Sequence, residues 1–323
     1  MKTTGRSGLL ICTILLLAAC TQRPATHQVP ISLSLGYIPN IQFAPIYVAI
    51  EKGYFSAAGV DVELAYMDEN QAASLVGAND LQFAVISGEQ VLLARAQGLP
   101  VVYVAAWYQQ YPVSVIAKSN RGIAALGDLR GKTIGLPGLY GANYIGLRAL
   151  LHAGGLSESD VTLDSIGYTQ AAALTAGRDQ AVSVYTANEP VQLRAQGIDL
   201  VEFRVADYVQ MASNGLITNE TTIAGNPALV RGMVAALLHG LSDTIADPDT
   251  AYQISLGYVE NLAQADTLVQ KQVLATSIDL WKAERLGESN PAAWENMQSV
   301  LLDMDLLLQP LDLSKAFSND FLP

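Results

Sequence analysis

The chain has 323 residues, half of them hydrophobic and 15% charged, with 18 basic side chains against 30 acidic ones and a net charge of −12. A composition this apolar and lightly charged builds a packed core of one large domain or two lobes, and it excludes a disordered chain. The acidic balance excludes nucleic-acid binding and a polybasic membrane-facing surface, because each needs clustered Lys and Arg to meet phosphate.

Lys2 and Arg6 precede an apolar run, Gly8 to Leu17, that is too short to cross a bilayer as a helix. The run ends in Leu17-Ala18-Ala19-Cys20, which resembles a bacterial lipobox. That resemblance implies that residues 1–19 are a cleaved signal peptide and that the Cys20 thiol takes a diacylglyceryl group. It places the protein outside the cytoplasm, anchored to the cell membrane through lipidated Cys20. Cys12 would leave with the signal peptide, so the folded part would hold no cysteine, which excludes disulfides, thiolate metal sites and a cysteine nucleophile. Loss of residues 1–19 removes two cations and no anion, taking the net charge from −12 to −14. Residues 20–30 are polar, carry Pro24 and Pro30, and read as a tether. No later stretch reads as a membrane-crossing helix.

From Ile31 the pattern alternates strands and helices. Strands are expected at Ile31–Gly36, Val60–Ala65, Leu81–Ile86 and Val101–Ala106, with helices at Ala44–Ala57, Gln71–Val76 and Gln90–Gln97 between them. Pro112–Lys118 reads as an extended crossing to a second set. That set has strands at Thr133–Leu136, Val161–Gly167, Ala181–Tyr185 and Leu200–Val205, and helices at Asn143–Ala153, Gln170–Ala176 and Val191–Gln196. Met211–Thr218 carries the chain back. Helices follow at Pro227–Ala246, Thr250–Ala263, Leu268–Leu286 and Pro291–Leu302, three of them opened by a proline whose missing N–H costs nothing in a first turn. The fold class is α/β: two lobes of mainly parallel sheet covered by helices, with a C-terminal helical block. Lobe 1 is expected to take 31–117 and 215–323, and lobe 2 to take 118–214.

The stretch Gly36-Tyr-Ile-Pro-Asn40-Ile-Gln-Phe43-Ala-Pro45-Ile-Tyr-Val-Ala-Ile-Glu51-Lys-Gly53-Tyr-Phe55, continued by Ala58-Gly-Val-Asp61-Val, resembles the superfamily of solute-binding proteins that includes nitrate, sulfonate and thiamine-pyrimidine binders. Asp128-Leu-Arg-Gly131-Lys132-Thr-Ile-Gly135 and Asn188-Glu189-Pro190 are similar to that family's second lobe. The resemblance covers roughly Ile31 to Leu302. It implies a type II periplasmic-binding-protein fold, hinge closure on a ligand between the lobes, and a monomer serving the permease and ATPase subunits of an ABC importer. Some relatives with that fold make the thiamine pyrimidine and carry a cysteine-rich iron motif; the mature chain would have no such cysteines, so no cofactor and no enzymatic activity are expected.

Candidate ligand residues follow the strands, since ligands of open α/β sheets bind at carboxyl strand ends. Tyr37, Asn40 and Phe43 follow the first strand, where they serve equally as a helix start with Phe43 packed beneath it. Ser87 and Glu89 either meet a polar ligand or cap the next helix. Trp107, Tyr108 and Tyr111 form an aromatic wall or pack near a hinge. Tyr140, Asn143 and Tyr144 lie at a glycine-rich turn before a helix. Tyr185, Asn188 and Glu189 lie on the matching loop of the second lobe. His27, His152 and His239 have no spaced partner for catalysis or metal binding, and no Gly-x-Ser-x-Gly elbow occurs.

The chain holds 14 Tyr and 3 Trp but only 6 Phe, which favours a planar polar heterocycle over an inorganic oxyanion. A nitrate or sulfonate would need converging cations, and only Lys118 and Arg121 lie near the candidate loops. Within the resembled family, riboflavin is the first expectation. A thiamine-precursor pyrimidine is second, sulfonate or nitrate next, and a pyrimidine-synthase-like enzyme last.

Overall fold

The computed structural model describes Met1 and residues 28–323. The expected signal peptide, the lipidation site Cys20, tether residues 20–27 and His27 lie outside the described residues.

The first half of the chain builds β1 (Val29–Leu35), β2 (Val60–Tyr66), β3 (Phe83–Ile86) and β4 (Val101–Ala106). Helices α1 (Ala44–Glu51), α2 (Tyr54–Ala57), α3 (Glu69–Gly77) and α4 (Gly88–Ala96) join them. The single helix expected over Ala44–Ala57 is broken at Gly53, which takes a left-handed φ of +72°. All six residues of β4 are buried, as a strand covered on both faces requires.

The second half repeats the plan. It contains β5 (Val113–Lys118), β6 (Thr133–Leu136), β7 (Thr162–Ser165), β8 (Ala181–Tyr185) and β9 (Leu200–Arg204). Helices α5 (Gly141–Ala153), α6 (Gln170–Ala176) and α7 (Glu189–Ala195) connect β6 to β9 in turn, and β10 (Gly215–Asn219) then returns. Two five-stranded sheets result, in the orders β2-β1-β3-β10-β4 and β7-β6-β8-β5-β9. β10 runs antiparallel between β3 and β4, and β5 runs antiparallel between β8 and β9. Each sheet is therefore mixed, with four of its five strands running the same way, in keeping with the mainly parallel sheets expected. Because β5 hydrogen-bonds in the second sheet throughout, the chain leaves the first sheet before Val113, earlier than the expected boundary after residue 117.

Five helices complete the chain: α8 (Glu220–Gly225), α9 (Pro227–Ala246), α10 (Pro248–Ser255), α11 (Thr267–Trp281) and α12 (Pro291–Asp303). Asn226, Asp247, Asp266 and Asn290 cap α9 to α12 by accepting backbone N–H groups of the first turn. Two helices stop short of the pattern. α10 ends at Ser255, followed by Gly257 and by Asn261 at φ +61°, and α11 ends where Lys282 turns extended. By length and composition α9 qualifies to cross a membrane, contrary to the reading of its sequence, yet half of its apolar stretch is buried inside the fold. It packs on α1 so closely that a Cβ at Gly240 would lie 2.1 Å from the Pro45 carbonyl oxygen. Here α9 is a core helix closing one face of the first sheet.

Candidate functional site

The loops that follow β1, β2 and β4, with Val85 near the end of β3, meet those that follow β6, β7 and β8 across one cleft. These are carboxyl strand ends in both sheets, where an open α/β sheet leaves its crevice. The space between these loops, counted out to its open mouth and including solvent there, is about 870 Å³.

One wall is aromatic. Trp107 lies 5.6 Å from Phe43, 5.4 Å from Tyr108 and 5.7 Å from Trp281, measured between ring centroids, and the Trp107 and Trp281 rings are buried to within 1%. Trp281 sets Tyr108 edge-on at 5.8 Å. At the mouth, Tyr37 of the first half and Tyr168 of the second meet edge to face at 4.8 Å and 89°. Tyr140 stands exposed on the same rim.

The polar lining is neutral or acidic. Gln42 Nε2 donates to the Tyr108 hydroxyl at 3.5 Å. Asn214, in the returning segment, donates from Nδ2 to the Tyr185 hydroxyl at 3.2 Å and to Glu69 Oε1 at 3.4 Å, linking the two halves. Glu189 accepts from the Tyr185 backbone N–H at 3.2 Å and from Asn188 Nδ2 at 3.3 Å. Burial pushes the Glu189 carboxyl up to about 7, against those stabilising bonds. Burial raises Glu69 as well, reinforced by the neighbouring charge of Glu89, and raises the Tyr108 hydroxyl to about 12. Two buried polar atoms of the lining, Trp107 Nε1 and Gln170 Oε1, have no partner within the protein. They offer a ligand one donor and one acceptor. Asp68, Glu69 and Glu189 line the cleft with no Lys, Arg or His among the described residues. Lys118 instead donates to the Thr175 carbonyl at 2.7 Å, and the Arg121 guanidinium lies against Gly177. The described residues contain no His, Cys, Asp and Glu group suited to a metal ion.

Of the residues expected to touch a ligand, Tyr37, Phe43, Trp107, Tyr108, Tyr140, Asn143, Tyr185, Asn188 and Glu189 line this cleft. Five do not. Asn40 caps the short 3-10 turn Ile41–Phe43, accepting from Gln42 N at 3.0 Å. Tyr144 on α5 is buried away from this lining and donates to Glu158 at 2.7 Å, beside Arg148. Ser87, Glu89 and Tyr111 sit just behind the lining, where Ser87 bonds both Glu69 and Glu89, and Tyr111 donates to Glu89 Oε2 at 3.2 Å. Reading the sequence missed Gln42, Asp68, Glu69, Tyr168, Gln170 and Asn214. Asp68, Glu69, Tyr168 and Gln170 follow β2 and β7, and the strand-end rule applied to those loops would have found them. Glu69 reaches inward because Gly36 has no side chain: a Cβ there would lie 2.5 Å from Glu69 Cγ.

Comparison with known proteins agrees with this geometry. Residues 40–251 match the family described as NMT1/THI5 like. A riboflavin-binding protein, RibY, of Chloroflexus aurantiacus is 42% identical, covering 98% of this chain and 96% of its own. A formylaminopyrimidine-binding protein of Halalkalibacterium halodurans is 28% identical over 96% of this chain and 97% of its own. Among solved structures, the periplasmic aliphatic sulphonate binding protein SsuA of Escherichia coli superposes with a TM-score of 0.70 at 13% identity, covering 88% of this chain and 91% of that one. That likeness concerns the fold, which is the periplasmic-binding-protein fold in both. The match over 40–251 and the full-length identity to a binding protein together make this chain a member of the NMT1/THI5-like family.

Proposed function

We propose that the chain is the extracytoplasmic substrate-binding subunit of an ABC importer, that it captures riboflavin, and that it is not an enzyme. The observation carrying this reading is the cleft lining: a buried aromatic wall around Trp107, unpartnered polar atoms on Trp107 and Gln170, and no cation. Riboflavin has a flat tricyclic ring to lie against that wall. Its ring carbonyls and N–H match the unpartnered donor and acceptor, and its ribityl hydroxyls suit acidic acceptors. A sulfonate or nitrate buried here would lack a countercharge, which is costly. The 42% identity to a riboflavin-binding protein supports the same choice. A pyrimidine precursor is the second reading, favoured by the 28% identical formylaminopyrimidine-binding relative.

In this reading residues 1–19 direct export, lipidated Cys20 anchors the chain to the membrane, and residues 20–30 tether it. One lobe is built on each sheet, and the monomer hands its ligand to a permease driven by an ATPase. Titrating purified mature protein with riboflavin tests the ligand. Saturable quenching of flavin and tryptophan fluorescence near one equivalent is expected, and quenching by a pyrimidine precursor alone would overturn the choice. Replacing Cys20 with Ser tests the anchor: the protein should leave the membrane fraction, and a variant that stays there would contradict lipidation at this thiol.

A further inference from the structure

Behind the cleft floor, Ser87 at the start of α4 stands between two carboxyl groups, its hydroxyl bonded to both Glu69 and Glu89. A serine hydroxyl has one hydrogen to donate. The second contact is a hydrogen bond only when one carboxyl group holds a proton and donates it to Ser87 Oγ. Without that proton, two carboxylates would face each other in a site where Ser87 and Glu89 have no exposure and Glu69 has 8%.

The groups facing this trio supply no positive charge. They are Asp68 ahead of α3, Tyr103 on β4, Tyr111 ahead of β5, Tyr168 after β7, Tyr185 at the end of β8 and Asn214 ahead of β10. The two carboxyl groups are not equivalent. Both lie in the first turn of a helix, Glu69 of α3 and Glu89 of α4, and the Tyr111 hydroxyl stands 3.2 Å from both Glu89 Oε2 and the Ala142 carbonyl oxygen. Glu69 sits beside the charge of Asp68, which itself takes the first N–H groups of α3, and its Oε1 receives Asn214 at 3.4 Å. What separates them is the charge of Asp68, which is adjacent to Glu69 and does not act on Glu89, so the proton belongs on Glu69 and the charge on Glu89.

We propose that Glu69 meets the ligand as an uncharged carboxylic acid, kept so by Ser87 and Glu89 as positioning residues, and that the cleft loses its ligand as rising pH removes the shared proton. This deepens the riboflavin reading and rests on it for the ligand used below. Burial raises both carboxyl groups, in keeping with a retained proton. The sign follows by linkage. The closed site holds a proton that an opened, hydrated site releases, so the contribution is complete below the ordinary carboxyl value of 4.5 and is lost as pH rises through the raised one.

Two measurements on the mature protein test this. The first is the infrared difference spectrum between wild type and Glu69→Gln at pH 6.5, which needs no ligand. It should show the carbonyl band of a buried protonated carboxylic acid in the wild type. The second is riboflavin affinity against pH. A loss of about tenfold between pH 6 and 8.5 is expected for the wild type. In Glu69→Gln binding should be weaker at pH 6 and nearly flat with pH, and in Glu89→Gln the midpoint should move to lower pH. A missing protonated band overturns the proposal, and so do parallel pH profiles in wild type and Glu69→Gln. Should riboflavin fail to bind at any pH, the ligand choice falls while the infrared result still decides the protonation.

Discussion

Trp107 brings together what a flat ligand needs: a buried ring, packing from Phe43 and Trp281 that fixes its angle, and a ring N–H with no partner in the protein. Its replacement by Ala should weaken riboflavin binding by about 1–3 kcal/mol, the range for stacking on an aromatic face, read as about five- to 150-fold in the dissociation constant. Tyr144→Phe should leave that constant unchanged, because Tyr144 is not in the lining and its hydroxyl bonds Glu158. The same titration checks both variants. Burial also raises Glu189, Glu69 and Glu89, while N–H donors or cations lower Asp128, Asp160 and Asp243. Lowered groups contribute stability that is lost in acid, and raised ones contribute stability that is lost as pH climbs past their shifted values. The thermal midpoint of the ligand-free protein should therefore peak in the mildly acidic range and decline toward pH 8. A midpoint still rising from pH 6 to 8 would contradict the buried, cation-free assignment. The aromatic wall was legible in the sequence because Trp107-Tyr108 follows an unmistakable strand. Glu69 was not, since its inward path depends on the missing side chain of Gly36, 33 positions away in the chain.

At the scale of elements, periodicity located nearly every strand and helix, and β4, β6, β8, α6 and α9 match their expected limits. Sheet membership was harder to read. An apolar run such as Val113–Lys118 states that it is buried, and only its hydrogen-bond partners, β8 and β9, decide which sheet it joins. The break at Gly53 was missed because apolar spacing continues across it. The α1–α9 contact offers a test of the packing that shapes the first half of the molecule. Gly240→Ala places a methyl group against the Pro45 carbonyl, so α9 must shift. Overpacking of this kind costs about 1–3 kcal/mol, and a lowered midpoint in chemical denaturation checks it. An unchanged midpoint would mean that α9 is not held against α1.

At the scale of the molecule, two sheets with the same strand plan are joined by two crossings, and the ligand site lies between them. The Tyr37–Tyr168 contact and the Asn214 bonds to Tyr185 and Glu69 bridge the halves, so the structure corresponds to a closed arrangement. Closure around a ligand is the usual motion of such pairs. Riboflavin should reduce the radius of gyration measured by X-ray scattering, and Tyr168→Ala should raise the dissociation rate by removing one bridge. The lining also predicts discrimination by charge, because a phosphate in this cleft would meet acidic groups without a cation. The measurement that bears most directly on the whole account is calorimetric titration of the mature protein with riboflavin, riboflavin 5′-phosphate and a formylaminopyrimidine side by side. One-to-one binding of riboflavin, with the phosphate at least about tenfold weaker and the pyrimidine weaker still, is the predicted result. Equal binding of the phosphate, or preference for the pyrimidine, would contradict it.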